Sequence, residues 1–121
     1  MKELKVIVAG GRDYNDYDKL SAVLFDYAEH VGTNVGVSIV TGMAPGADSL
    51  AYRFGLNEGV KTYEFPAKWD LYGKRAGFIR NDAMALYSDV LIAFHDGQSR
   101  GTANMIQTMR KLDKPVYVID Y

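Results

Sequence analysis

The sequence has no cysteine among its 121 residues, which excludes disulfide bonds and thiolate metal sites. It also lacks an excess of one charge, since 14 lysines and arginines stand against 15 acidic residues and the formal net charge is −1. Proteins that bind nucleic acid neutralise phosphates with basic side chains, so this balance argues against a nucleic-acid partner and leaves a local basic patch as the alternative. Long apolar runs are absent as well: the first one ends at Gly10 and Gly11, and we expect neither a signal peptide nor a membrane span.

What the sequence does contain is typical of one folded domain. Hydrophobic residues make up 48% of the chain and charged residues 24%, a composition of globular rather than disordered proteins. A chain of this length can bury a sizeable core but is short for two domains. We therefore expect residues 1–121 to form a single domain.

Five short apolar segments alternate with longer segments of helical period, and each is a candidate strand. They are residues 4–9, 37–40, 60–65, 89–94 and 115–119. This alternation favours a parallel sheet with helices on both faces, and strands that are apolar throughout fit such a covered sheet. Because crossovers are right-handed, the predicted fold is an α/β, Rossmann-like three-layer parallel sheet of about five strands in the order 3-2-1-4-5.

The helical segments carry apolar residues at spacings of three and four, which predict the face that each helix buries. Asn15 or Asp16 is placed to cap the first helix, and Gly59 to end the second. The predicted inner positions are Ile79, Ala83 and Leu86 in the helix before the fourth strand, and Ala103, Ile106, Met109 and Leu112 in the last helix.

Three glycine-rich loops are predicted to converge on one cleft. In this strand order the chain reverses direction between the first and fourth strands, and ligands of such sheets bind at that point, outside the carboxyl ends of the strands. The loops after the first, second and fourth strands meet there. They supply the candidate ligand-binding residues Gly10, Gly11, Arg12, Asp13, Gly42, Gly46, Asp48, Gly97, Ser99, Arg100, Gly101 and Thr102.

The stretch after the fourth strand is the best candidate for holding a phosphate. It precedes the last helix, whose free N–H groups and dipole attract anions. Gly101 allows close approach, Ser99 and Thr102 offer hydroxyls, and Arg100 offers a bidentate guanidinium. The alternative is that Ser99 merely caps the helix, which is compatible with binding.

The other two loops allow structural as well as functional interpretations. Arg12 can clamp an anion and Asp13 can accept from a ribose hydroxyl, or the two serve as surface ion-pair partners. Asp48 lies in the first turn of a helix, where the dipole stabilises a carboxylate with or without a ligand contact. Gly42 and Gly46 are expected to serve the backbone conformation.

Residues outside these loops complete the candidate site. Arg80 and Asn81 lie on the helix before the fourth strand, and Arg80 either projects into the cleft or is a solvated helix residue. His95 ends the fourth strand, where a general base can lie, although a structural histidine is the commoner case. No His, Asp or Glu cluster has metal-ligand spacing, and we expect neither a metal nor a cofactor.

Aromatic residues precede that helix in the segment AKWDLYGKRAG. Trp69 and Tyr72, close to Lys74, are candidates for stacking on a base. Packing as a lid or in a dimer interface is the equal alternative. Tyr72, Tyr87 and Tyr121 are the aromatic side chains that we expect at such an interface.

Four motifs together resemble the YspA/cpYpsA-related (YAcAr) branch of the SLOG superfamily, a domain of unknown function common in phages and bacteria. They are GGRDY, TGMAPGADSLA, W-x₂-YGKRAG-x₂-RN-x₂-M and DGQSRGTANMI, and the resemblance runs from residue 6 to about residue 118. The resemblance implies a Rossmann-like fold. The superfamily also includes the DNA-processing protein DprA and the LOG phosphoribohydrolases, which cleave nucleoside 5′-monophosphates to a free base and ribose 5-phosphate.

The LOG motifs imply ligand binding more firmly than catalysis. The pattern is R-K-x-x-M on one helix, followed by P-G-G-x-G-T-x-x-E, and it is matched here by Arg80, Met84, Gly101 and Thr102. Asn81 stands in place of the lysine. Met105 stands in place of the glutamate, and a thioether can neither stabilise an oxocarbenium-like centre nor activate water.

A carboxylate from elsewhere in the cleft would be needed for such chemistry, and Asp13, Asp48 and Asp96 are the sources. The candidate catalytic residues are accordingly Arg80, Asp96, Asp13 and His95.

The resemblance therefore implies first a protein that binds a nucleotide or nucleotide-derived ligand, as a sensor or a factor in phage–host conflict. The alternative is a hydrolase that cleaves the N-glycosidic bond of a nucleoside 5′-monophosphate. The neutral charge and the small domain argue against the third hypothesis, DNA binding in the manner of DprA. We expect a small-molecule partner, no membrane, a homodimer or higher homo-oligomer as in many SLOG proteins, and a cytoplasmic location, which is the host cytoplasm for a phage protein.

Overall fold

Five parallel strands form one sheet in the computed structural model, which describes residues 2–121. The strands are β1 (Lys2–Gly10), β2 (Val35–Thr41), β3 (Thr62–Glu64), β4 (Val90–His95) and β5 (Val116–Asp120). Their order is β3-β2-β1-β4-β5, and each neighbouring pair is parallel. The predicted α/β, Rossmann-like sheet in the order 3-2-1-4-5 is therefore confirmed.

Helices cover both faces of the sheet and make it the middle of three layers. They are α1 (Tyr17–Val31), α2 (Ala47–Glu58), α3 (Trp69–Tyr72), α4 (Ala76–Tyr87) and α5 (Arg100–Lys111), with a 3₁₀ turn at Gly73–Arg75 that joins α3 to α4. Val6 and Val8 of β1 pack with α1 and α2, whereas Ile7 and Ala9 pack with α4 and α5. This alternation follows from the two-residue period of a strand.

The ends of the helices follow their sequence signals. Asp16 caps α1, because its Oδ1 accepts the Lys19 amide at 3.0 Å. Gly59 ends α2 in the left-handed region at φ +66°. In α5, Ile106 and Met109 are buried as predicted, but Leu112 lies beyond the helix and is 39% exposed, since the helix stops at Lys111.

The predicted inner face of α4 is wrong. Leu86 is 72% exposed, Ala83 is exposed and Ile79 is half-buried. The buried residues are instead Ala76, Asn81, Met84 and Ala85. The helix is apolar on several sides, so its spacing permits more than one face, and the polar residue Asn81 turns inward toward α5.

The edge of the sheet also departs from expectation. β5 is apolar in sequence, yet Tyr117 is 46% and Val118 36% exposed, because an edge strand is not covered as the central strands are. Pro115 is included in the predicted strand but lies outside β5, since it has no N–H, although its carbonyl still accepts the Leu91 amide at 3.0 Å. The remaining strand boundaries differ from the predicted ones by one or two residues.

Candidate functional site

A cavity of about 440 Å³ opens at the carboxyl ends of β1 and β4, where the strand order reverses. We call it the α5 compartment, because the first turn of α5 forms one wall. Of the predicted site residues, the structure brings together twelve in its lining: Gly10, Gly11, Arg12, Asp13, Asp48, Arg80, Asn81, Asp96, Ser99, Arg100, Gly101 and Thr102. Ala9, Ala44, Met84 and Met105 complete it.

A second cavity of about 440 Å³ adjoins the first, and we call it the Trp69 compartment. It is lined by Gly42, Met43, Pro45, Pro66, Ala67 and Trp69, and it shares Arg12, Ala44 and Arg80 with the α5 compartment. Lys74 lines a smaller space of about 150 Å³ between Trp69 and Gly101. Tyr72 does not join this group, because it lines a groove beside Lys68 and Ile79 on the other side of Arg80.

Three predicted residues lie behind the cleft and not in its wall. Gly46 has φ +84°, and a Cβ there would collide with the Gly11 carbonyl, so it holds the β1–α1 and β2–α2 loops together. Gly97 also has φ +84° and shapes the turn that Asp96 closes. His95 is half-buried, and its Nδ1 makes no hydrogen bond within residues 2–121, lying 3.8 Å from Asp96 Oδ1. These residues shape or support the loops.

The N-terminus of α5 presents a group of unused donors to the cavity. Ser99 caps the helix, with its Oγ 3.4 Å from the Thr102 amide and 3.0 Å from the Thr102 hydroxyl. The amides of Arg100 and Gly101 donate to no group in the described part of the chain. A Cβ on Gly101 would meet nothing within 4 Å, and both Arg100 and Gly101 line the α5 compartment. Capping and anion binding are therefore compatible here.

Three arginines line the cleft without an acidic partner. Within residues 2–121, neither Arg12, Arg80 nor Arg100 has a carboxylate oxygen within 4.0 Å, so the alternative of an Arg12–Asp13 ion pair is not found. Arg80 is half-buried: its Nη1 donates to the Gly42 carbonyl at 2.6 Å and its Nε to Asn81 Oδ1 at 3.0 Å. It is therefore not a solvated helix residue, and burial lowers its pKa. Its Nη2 donates to no group among the described residues and remains available for a ligand.

Asp48 is the buried carboxylate of the site, with 5% of its surface exposed. Loss of hydration raises its pKa from 3.8 to about 6, although the nearby positive charge of Arg80 acts in the opposite direction. Its Oδ2 accepts the Ala44 amide at 3.4 Å, and the α2 dipole adds further stabilisation of the charge. A carboxylate with such a pKa changes protonation close to neutral pH.

The other two acids of the cleft are engaged by hydrogen bonds. Asp13 Oδ1 accepts the Tyr121 hydroxyl at 2.6 Å. Asp96 Oδ1 accepts the amides of Gln98 and Ser99 at 2.8 and 2.9 Å, which holds its pKa below the usual value. No carboxylate of the described chain lies within 4.0 Å of the three guanidinium groups, so they keep N–H donors for an incoming anion.

Asn81 links the two helices that border the cavity. Its Nδ2 donates to Asn104 Oδ1 at 2.9 Å and to the Gly101 carbonyl at 3.3 Å, which fixes the first turn of α5 against α4. Met105, at the position of the LOG glutamate, is 1% exposed and forms part of the cavity wall with Met84. The cleft floor is therefore apolar where the LOG enzymes have an acid.

Sequence reasoning missed Tyr121 and Asn104 as parts of the site. Tyr121 bonds to Asp13, which lies 108 positions away, and no local pattern encodes such a contact. The sequence indicates it only as an interface residue, together with Tyr72 and Tyr87. Tyr87 packs against Tyr63 and Phe65 of its own chain and is 40% exposed, so its interface role stays a prediction. For Asn104, the sequence does hold a signal of a site residue: it is a polar residue next to Met105, which faces inward on α5.

Residues 2–121 contain no candidate metal site and no candidate membrane-spanning helix. Across residues 2–121 there is no group of three or more His, Cys, Asp or Glu side chains placed to hold a metal ion. None of the helices within that range is both long and apolar enough to cross a membrane.

The fold and the cleft together define the class of this chain: a Rossmann-like α/β protein with arginines and a helix N-terminus at the point where the strand order reverses. The chain belongs to the YspA, cpYpsA-related SLOG family, YAcAr, whose model matches residues 4–72. The resemblance that the motifs indicated is thus confirmed. Gene 61 protein of Mycobacterium phage D29 is 31% identical over 120 residues, which cover 93% of each of the two chains.

A solved structure of DNA processing protein A from Helicobacter pylori, studied for its single-stranded DNA binding mode, has a similar fold. The TM-score is 0.66 and the sequence identity 21%, over 98% of this chain. At that identity the likeness establishes the fold alone. This chain spans 66% of the length of that structure.

Proposed function

We infer that the cleft binds a nucleotide or nucleotide-derived ligand, and that residues 1–121 do so as a single domain, acting as a sensor. One observation carries this inference: Arg12, Arg80 and Arg100 line the same cavity as the free amides of α5. None of the three arginines has a carboxylate within 4.0 Å in the described chain. Arg12 and Arg100 are exposed, whereas Arg80 is half-buried, so a bound anion would relieve the cost of burying the Arg80 charge.

A phosphate at the first turn of α5 satisfies the donors found there. It would accept from the Arg100 and Gly101 amides and from the guanidinium of Arg100, a combination that favours phosphate over a neutral group. Arg80 Nη2 adds a donor from the opposite wall. Asp13 and Asp48 then supply acceptors for ribose hydroxyls or an exocyclic amine.

The test is a thermal-shift screen with mononucleotides, dinucleotides and cyclic nucleotides, followed by calorimetry. A ligand at a hundred times its Kd stabilises a protein by about 2.7 kcal/mol, which the screen detects. Arg100→Ala and Thr102→Val should weaken the binding, whereas Arg110→Ala, at the exposed far end of the same helix, should not. If no nucleotide shifts the melting temperature, or if all three variants bind as wild type does, the α5 assignment is wrong.

Single-stranded DNA is a second candidate ligand, favoured by the segment before α4 and the first turn of that helix. Trp69, Tyr72 and Phe78 are 49%, 44% and 49% exposed, and Lys68, Lys74 and Arg75 are exposed among them. Exposed aromatic rings with interspersed basic residues bind unpaired bases by stacking and phosphates by charge. This is the local basic patch that the overall charge of −1 left open.

Titration with an oligonucleotide at several salt concentrations distinguishes the two candidates. DNA binding through several phosphates weakens steeply with added salt, and replacing Lys74 and Arg75 together with Ala would reduce both the affinity and the salt slope. A flat salt dependence, or affinity unaffected by that double variant, would reject DNA binding through this segment.

Hydrolysis of an N-glycosidic bond would depend on Asp48, the carboxylate that is buried in the cleft. Incubation of the protein with a panel of nucleoside monophosphates, followed by chromatography of released base, tests this reaction. Release that is abolished in Asp48→Asn, with ligand binding retained, would make the protein an enzyme. Absence of release across the panel would leave binding as the function.

A further inference from the structure

The α5 and Trp69 compartments are adjoining cavities with three lining residues in common. Each has a volume of about 440 Å³, and both are lined by Arg12, Ala44 and Arg80. Small-molecule sites span roughly 300 to 1,000 Å³, so either compartment alone is large enough for one nucleoside-sized group. A mononucleotide bound at α5 would therefore leave the second compartment unused.

The boundary between the compartments is cationic. Arg80 is fixed there by its bonds to Gly42 and Asn81, which leave Nη2 free among the described residues. Arg12 lies on the same boundary and has no carboxylate within 4.0 Å in residues 2–121. Two guanidinium groups placed between two cavities match an anion that joins two larger groups.

The far compartment offers an aromatic surface. Trp69 is 49% exposed and packs with no other aromatic ring of the described chain. Carbon Cη2 of its indole lies above Gly77, where a Cβ would touch it at 3.4 Å. Met43, which lines the same compartment, adopts φ +61°, a strained conformation for a residue with a side chain and one that is concentrated at ligand sites.

We propose that the cleft takes a ligand made of two nucleosides joined through phosphate. One nucleotide occupies the α5 compartment with its 5′-phosphate at the first turn of α5, the linking phosphate lies between Arg12 and Arg80, and the second base stacks on Trp69. This proposal rests on the proposed function, because it assigns the class of nucleotide ligand to the same cleft. The same chemistry occurs in a free dinucleotide and in one step of a single-stranded nucleic acid, and the experiment below separates these sources.

The experiment compares three probes on the whole protein: adenosine 5′-monophosphate, the 5′-phosphorylated dinucleotide pApA and diadenosine diphosphate. Calorimetry gives affinity and stoichiometry, and the fluorescence of Trp69, the sole tryptophan of the sequence, reports occupancy of the far compartment. We expect a two-nucleoside probe to bind about tenfold more tightly than the mononucleotide, with one molecule per chain, and to quench the fluorescence.

Variants of α3 then test the role of the indole. Stacking on an aromatic residue changes affinity by about five- to a hundredfold, so Trp69→Ala should lower the affinity for the two-nucleoside probe to that of the mononucleotide. Its affinity for adenosine 5′-monophosphate should not change. Leu71→Ala is the matched control, since Leu71 lies on the same short helix, is 67% exposed and lines neither compartment.

The outcomes are distinguishable. Equal affinities for one- and two-nucleoside probes, unchanged by Trp69→Ala, would overturn the two-compartment proposal and leave nucleotide binding at α5 intact. Failure of every probe to bind would overturn both proposals. An oligonucleotide of about 12 nucleotides that binds far more tightly than either two-nucleoside probe would reject a free dinucleotide as the ligand.

Discussion

The guanidinium of Arg80 donates from Nη1 to the carbonyl oxygen of Gly42 at 2.6 Å and thereby ties α4 to the loop after β2. Gly42 has no room for a side chain, because a Cβ there would collide with that guanidinium and lie 2.8 Å from Asp48 Oδ2. The absence of a side chain at residue 42 thus allows an arginine and a buried carboxylate to approach the same point of the backbone. Both then face the cleft.

Replacing Arg80 should weaken ligand binding strongly. A hydrogen bond to a charged group contributes about 1.5–3 kcal/mol, so Arg80→Ala should reduce nucleotide affinity by about ten- to a hundredfold in calorimetry. Arg80→Lys should recover little of this, because an ammonium cannot serve Gly42, Asn81 and a ligand together. Wild-type affinity in Arg80→Lys would show that only the charge matters, and wild-type affinity in Arg80→Ala would remove Arg80 from the site.

The inward direction of Arg80 and Asn81 also explains where prediction from the sequence succeeded and failed. Alternating strand and helix periods were sufficient for the sheet order, since β1 and β4 carry uninterrupted apolar runs at residues 6–9 and 90–94 and crossover handedness limits the choices. The same reasoning selected the wrong face of α4, because it assumes that polar residues face the solvent. Asn81 is 5% exposed and Leu86 is 72% exposed, the reverse of that assumption. Such failures are expected where a helix contributes polar groups to a site.

Stability should fall as the pH rises through the titration of Asp48. Its pKa is raised in the folded protein from 3.8 to about 6, so between these values the folded state binds more protons than the unfolded state, and the free energy of unfolding decreases with pH. The ionised carboxylate, which faces Arg80, Arg12 and the amides of Ala44 and Gly42, therefore costs about 1–3 kcal/mol above that range.

Asp48→Asn removes this cost, because an amide oxygen can still accept the Ala44 amide. We expect the variant to be more stable than wild type by about 1–3 kcal/mol near pH 7, with a smaller slope between about pH 4 and pH 6, in urea unfolding measured across pH. Asp82→Asn, an exposed change on α4, should alter neither quantity. A variant that is less stable than wild type throughout would show that the Asp48 charge stabilises the fold.

Gly46 and Gly59 both have positive φ, but they should differ in their tolerance of alanine. At Gly59, φ +66° and ψ 30° lie in the left-handed helical region and nothing is within 4 Å of a Cβ, so Gly59→Ala should cost about 1–2 kcal/mol. At Gly46, ψ is −131° and a Cβ would collide with the Gly11 carbonyl and the Arg12 backbone. Gly46→Ala should therefore cost more than about 3 kcal/mol and weaken ligand binding. Equal losses in chemical denaturation would mean that the two loops separate freely at this contact.

Tyr121 should stabilise the loop after β1 through its hydroxyl. That hydroxyl donates to Asp13 Oδ1 at 2.6 Å, while its ring packs edge-on against Tyr14 with centroids 4.8 Å apart. Tyr121→Phe keeps the ring and removes the hydrogen bond, so we expect a loss of about 0.5–1.5 kcal/mol in the free energy of unfolding.

The same substitution leaves the Asp13 carboxylate without its donor at the edge of the α5 compartment. Asp13 then competes with the ligand for Arg12, and affinity for an anionic nucleotide should fall by a few-fold, about 0.5–1 kcal/mol. Tyr117→Phe is the matched control: Tyr117 is 46% exposed and its hydroxyl makes no hydrogen bond within residues 2–121. If the two variants are indistinguishable in both stability and affinity, the Tyr121–Asp13 bond does not shape the cleft.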